Sequence, residues 1–348
     1  MLSSTFPTVA SKEVSMRQKL AVLTTFCLFI DPAIYAQGGQ LPGPAKSPLN
    51  VSLQATQLES WTELALDKSG LPPSQFDAVL LGKYETPDYV REYWRVQWRP
   101  ADPIDVYIVL PHGVSRPRAI LYVYDYRFDT ERFRSDVWCK AATQGGFAAV
   151  GFTSALSLQR QHTPRPMKEW FVSELQEALA TSTHDVQMIL NFLEKRGDID
   201  ATQVAMYGQG SGGTIAILAA AVDPRIVALD LLNPWGDWPD WLKDSPQIPD
   251  DERSTYLQPA FLQKVANLDP VDYLPRLTLK GLRIQQITDD LVTPDSAKKG
   301  IDAVVPRSAT VVRYDGVDAH MAAWRRDGLN GWIRGQLRPA PAPASAGQ

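Results

Sequence analysis

Cysteine is nearly absent, with two residues in 348, Cys27 and Cys139. A pair this sparse builds no disulfide framework, so the fold must stand on a buried apolar core. Histidine is scarce too, at four residues. With no H-E-x-x-H and no paired cysteines, the usual protein zinc sites have no ligand set, and no metal is expected. A basic excess is missing, since the formal net charge is −4, and this leaves no electrostatic footprint for nucleic acid. Beyond the N-terminus no run is long and apolar enough to span a bilayer. No repeat at solenoid or propeller spacing is found.

What is present reads as an exported globular chain. If translation effectively starts at Met16, then Arg17 and Lys19 form a basic n-region before the apolar run Leu20–Ile30. That run is too short for a membrane span, and cleavage after Ala36 is expected. Residues 1–36 therefore read as a signal peptide and 37–50 as a linker rich in Gly and Pro. An α/β domain is expected over 51–338, and a disordered Pro/Ala tail over 339–348. The alternative reading of the apolar run is a buried N-terminal helix. After cleavage Cys139 alone remains, and with no neighbouring His it reads as an inert buried thiol.

The body of the chain begins with two alternating stretches, Glu92–Arg99 and Asp105–Leu110, which read as an antiparallel hairpin. Short β-rich apolar runs come next at Ala119–Tyr124, Phe147–Phe152, Gln203–Tyr207, Ile226–Leu232, Leu282–Thr288 and Thr310–Tyr314, separated by helical segments. This is the rhythm of a doubly wound, mostly parallel sheet covered on both faces. The clearest helix carries Val186, Ile189, Leu190 and Leu193 on one face, with Gly197 as its C-cap. A second, Thr214–Val222, is almost wholly apolar and should be buried. The rhythm breaks between Leu232 and Leu282, where a helical lid over 234–276 is expected.

The most informative segment is Gly208-Gln-Gly210-Ser211-Gly-Gly213, a glycine turn from strand into helix. As a nucleophile elbow G-x-S-x-G, the turn needs small residues on either side of the nucleophile. Gly208 and Gly212 supply them, which puts Gly210, a residue with no nucleophile, at the central position. Ser211 then comes directly after it, where a backbone N–H serves an oxyanion hole. A displaced-nucleophile role for Ser211 would instead put Gln209 on a flank that should be small. A second reading is a dinucleotide fingerprint through Gly208, Gly210 and Gly213, with Asp230 as the ribose-binding acid. Its late place in the chain argues against it, and no cofactor is expected. The third reading is a glycine turn that only lets a helix approach a strand.

Asp290, in Asp290-Leu-Val-Thr-Pro294, and His320 come after two later strands in the order acid then base. On these residues the chain resembles the α/β-hydrolase family over about 90–337, in particular its secreted esterases and peptidases. In that family the triad acid sits in a D-x-x-x-P loop and the His comes after the next strand. The resemblance implies Asp290 as acid and His320 as base, expected within hydrogen-bond reach, with Asp289 and Asp237 as other candidates for the acid. The loop after Ala119–Tyr124 lacks the His-Gly-Gly signature, so Tyr126 and Arg127 are the candidates for a second oxyanion donor. Trp235, Trp238 and Trp241 either line a pocket or pin the lid to the sheet. His112, His162 and His184 read as structural.

The resemblance implies a small-molecule or peptide ligand and leaves function open. The chain is either a hydrolase of carboxylic esters or peptides with a degenerate elbow, or a pseudoenzyme that binds in the retained pocket. Hydrolysis could run through Ser211 or through a water activated by His320 and Asp290. Serine at position 210 is expected to raise aryl-ester hydrolysis.

Overall fold

The computed structural model describes residues 59–71, 77–99, 102–127, 130–157, 160, 170–290, 292–328 and 330–337. The signal-peptide, linker and tail segments, Cys27 and His162 lie outside them. Nine strands form one sheet: β1 (Asp77–Glu85), β2 (Tyr89–Gln97), β3 (Ile104–Pro111), β4 (Arg118–Val123), β5 (Ala148–Phe152), β6 (Asp200–Gln209), β7 (Ile226–Leu232), β8 (Gly281–Ile287) and β9 (Thr310–Tyr314). Their order is β1-β2-β3-β5-β4-β6-β7-β8-β9. The first three form an antiparallel meander that joins β5 antiparallel. From β5 to β9 every pairing is parallel.

The central strands are apolar because both their faces are covered. In β4, Leu121 and Val123 enter the core on the side of helices Leu175–Arg196 and Ser211–Ala220. Their neighbours Ile120 and Tyr122 enter the opposite core, with Trp138 and Ile333. This is the period of two that strand geometry dictates. The expected hairpin is the β2–β3 pair, and the expected C-cap Gly197 is left-handed, its N–H bonded to Leu193 O. Strand β1 was not anticipated. Its Val79, Leu80, Leu81 and Tyr84 are exposed at the sheet edge, so no in-out alternation marks it in the sequence.

Between β7 and β8 the chain is helical, with Trp238–Asp244, Asp250–Tyr256 and Pro259–Val265. No helix among the described residues is long and apolar enough to cross a membrane.

Candidate active site and ligand pocket

The tip of the parallel strands is where open α/β sheets place their sites. Here β6 ends at Gln209 and the helix Ser211–Ala220 begins, with Gly210 between them at φ 55°, ψ −120°. That conformation is open to glycine and costly for residues with a Cβ. The helix crosses so closely that a Cβ on Gly212 would stand 1.9 Å from Val123 O. The backbone thus runs from strand through a sharp glycine turn into a closely crossing helix, as the glycine pattern implied.

A cavity of about 270 Å³ opens beside this turn, and Gly210, Asp290 and His320 all line it. Asp290 and His320 do not pair. The Asp290 carboxylate accepts from Asn233 Nδ2 (2.8 Å) and from the backbone N–H groups of Val292 (3.2 Å) and Thr293 (3.3 Å). Asn233 is itself fixed, accepting at Oδ1 from Ile287 N, while buried Lys298 donates to the carbonyls of Ile287 and Asp290. The expected hydrogen bond is absent because these groups hold the acid in its own loop. The His320 ring packs edge-on against Tyr314, centroids 5.1 Å apart, and makes no hydrogen bond among the described residues. Burial, then the charges of Arg132 and Arg283, push its pKa below the ordinary imidazole value.

Ser211 is fully buried and is not part of the cavity wall. Its Oγ donates to Asp125 Oδ1 at 3.0 Å and accepts from Tyr126 N at 3.0 Å. Its backbone N–H also points to Asp125 Oδ1, at 3.4 Å. The N–H groups that could have served an oxyanion, those of Ser211 and Tyr126, are thus spent inside the protein. Arg127 donates to the Tyr126 hydroxyl at 2.7 Å.

Asp125 was not singled out by the sequence, and it is the residue that organises the turn. It comes just after β4, lines the cavity, and places its carboxylate where the side chain of residue 210 would project. A Cβ built on Gly210 would lie 2.8 Å from Asp125 Oδ1 and 3.2 Å from Trp235 Nε1. Burial raises the Asp125 pKa, opposed by the hydrogen bonds from Ser211. The one sequence signal was an acid directly after an apolar strand.

Of the three tryptophans, Trp235 lines the cavity. Trp238 and Trp241 are buried behind it, the Trp235 and Trp241 centroids 4.7 Å apart. Asp237, left-handed at φ 57°, donates its N–H to Asp269 and lies outside the cavity wall. Asp289 is exposed. His112 is bound to Thr86 O in an exposed turn, and His184 is buried between Glu59 and the Glu63 carbonyl.

The dinucleotide reading is corrected at Asp230, which is fully buried and held by Arg283 (2.6 and 2.8 Å) and Gln285 (2.8 Å). A ribose cannot reach it. The space a pyrophosphate would need at the helix start holds the Asp125 carboxylate, which would repel it. Among the described residues no group of three or more His, Cys, Asp or Glu is placed to hold a metal. Cys139 is buried, donates to Phe133 O, and has its pKa raised by burial, which leaves the thiol unreactive.

No protein-family model matches the chain, and no curated protein sequence does. Solved structures do match. Acetyl xylan esterase 1 from Thermoanaerobacterium sp. JW/SL YS485 is 13% identical with a TM-score of 0.60, over 78% of this chain and 92% of that one. An acetyl xylan esterase from Paenibacillus sp. R4 is 16% identical, TM-score 0.53, over 73% and 89%. The glucuronoyl esterase from Solibacter usitatus is 14% identical, TM-score 0.51, over 77% and 87%. At these identities the likeness establishes the α/β-hydrolase fold and leaves the chemistry to the site itself.

Proposed function

We propose that this chain is an exported α/β-hydrolase-fold protein that binds a small molecule in the cavity beside Gly210 and does not act as a serine hydrolase. One observation carries the reading: the Asp125 carboxylate stands against Gly210 and takes the Ser211 N–H, so the places of nucleophile and oxyanion are both filled by one anion. An oxyanion hole works by stabilising negative charge that develops in the transition state. A carboxylate already seated there opposes that charge. Ser211 does not replace the lost nucleophile, because its hydroxyl is buried outside the cavity wall and gives its hydrogen bond to Asp125, with none to His320. Export rests on the sequence of residues 16–36 alone.

A second reading keeps weak hydrolysis through water, and it draws on His320. A ring held neutral at the cavity wall is competent as a general base. It lacks the acceptor on its other nitrogen that would orient it, and such sites retain only a small part of triad catalysis.

Initial rates on p-nitrophenyl acetate and on a neutral aryl amide, compared with the His320→Ala protein, separate the two. The binding reading expects rates equal to buffer in both proteins. A rate above buffer that disappears in His320→Ala moves the assignment to water activation.

A further inference from the structure

The charged groups around the cavity are not equally engaged. Each of the two carboxylates receives at least two hydrogen bonds from the protein: Asp125 from the N–H and Oγ of Ser211, Asp290 from Asn233, Val292 and Thr293. Arg132 differs. It comes from the short 3-10 helix Glu131–Arg134, and its guanidinium stands over the rings of Tyr124 (4.8 Å) and Trp324 (5.3 Å) at the cavity wall. Among the described residues the guanidinium makes no hydrogen bond and no ion pair. Aromatic faces attract the cation and hold its plane, but they leave the N–H fork unspent. Its charge reaches into the cavity, where it acts on Tyr124, Tyr207 and His320.

We propose that Arg132 anchors an anionic group, and that the cavity takes a small carboxylic acid with an apolar body. This rests on reading the cavity as a ligand site. A planar guanidinium matches a carboxylate through two parallel N–H···O bonds, and pre-setting by two rings reduces the entropy lost on binding. The apolar body is met by Leu232, Ile287, Val292, Val317 and Met321. Size agrees, since a cavity of about 150 Å³ is enough for benzene and this one has about 270 Å³. A carboxylate carries one negative charge, whereas a phosphate near neutrality approaches two. The monoanion is therefore the better fit to a cavity that already holds Asp125 and Asp290. The anion is directed to the Arg132 end because the place by Gly210 is filled by Asp125.

Calorimetric titration of the whole protein with benzoate, benzamide and benzylammonium at neutral pH tests the assignment, because the three probes share a ring and differ in charge. Benzoate is expected to bind at least about tenfold tighter than either of the others, and Arg132→Gln to bring it level with benzamide. Benzamide or benzylammonium binding as tightly as benzoate overturns the anion anchor and leaves the ligand site standing. The same holds if Arg132→Gln keeps the benzoate preference in a folded protein. Binding of none of the three overturns the ligand site and the anchor together. If Arg132→Gln does not fold, the order of the probes on the natural protein decides.

Discussion

Asp125 Oδ1 lies 2.8 Å from the point where a Cβ on Gly210 would stand, closer than a carboxylate oxygen and a carbon can pack without movement. This contact reverses the expectation raised by the empty nucleophile position. From sequence, serine at 210 should restore a hydroxyl near His320 and raise ester hydrolysis. In the structure it would meet the Asp125 carboxylate at a backbone angle of φ 55°. Gly210→Ser is therefore expected to lower stability by about 1–3 kcal/mol and to leave p-nitrophenyl acetate hydrolysis unchanged. In an Asp125→Gly background, which removes the crowding carboxylate at the separate cost of leaving the Ser211 donors unpaired, Gly210→Ser should cost less than it does alone. Thermal unfolding of the two single variants and the double variant checks this, and a Gly210→Ser protein as stable as the natural protein would contradict the crowding.

Ser211→Ala tests the neighbouring residue. It removes a buried hydroxyl that joins Asp125 to the Tyr126 N–H. The expected result is a loss of about 1–3 kcal/mol, because the Tyr126 donor is left unpaired, with no change in reactivity toward esters. Denaturant unfolding read by tryptophan fluorescence measures it. A stability-neutral variant with altered ester chemistry would place Ser211 in the chemistry instead.

His320 gives a pH dependence whose direction is fixed by its surroundings. The folded protein holds its pKa below 6.5, first by burial and then through Arg132 and Arg283. The unfolded chain therefore takes up the proton more readily, so this group's contribution is complete above the ordinary imidazole pKa and is lost as pH falls from there toward the folded value. His320→Gln should flatten that part of the stability profile. In Arg132→Gln the His320 resonance should titrate at a higher pH than in the natural protein, monitored by NMR. An unmoved or lowered titration would show that the Arg132 charge does not reach the ring.

Much of the architecture was legible because β4 to β8 are buried on both faces and so appear as apolar runs with helices between them. The sharp glycine turn was legible because close crossing leaves room only for glycine at Gly208 and Gly212. β1 was not, since an exposed edge strand has no alternation to read. Nor was the engagement of the site. Asp290 and His320 line one cavity without the hydrogen bond expected from their chain order, because Asn233 and the loop N–H groups take the carboxylate, and no spacing rule shows that. Asp125 lies in the loop after β4 and Arg132 in a one-turn 3-10 helix, where meaning comes from what they touch and not from any period. The tryptophans divide for the same reason, with Trp235 at the cavity and Trp238 and Trp241 behind it.

The proposed function requires that this turn carry no activated serine. Incubating the natural protein with a fluorophosphonate probe and weighing it intact by mass spectrometry decides this, since only an activated hydroxyl is phosphonylated stoichiometrically. An unmodified mass is expected, because Gly210 offers no hydroxyl and Ser211 Oγ is buried against Asp125. One probe per chain, mapped to Ser211, would contradict it.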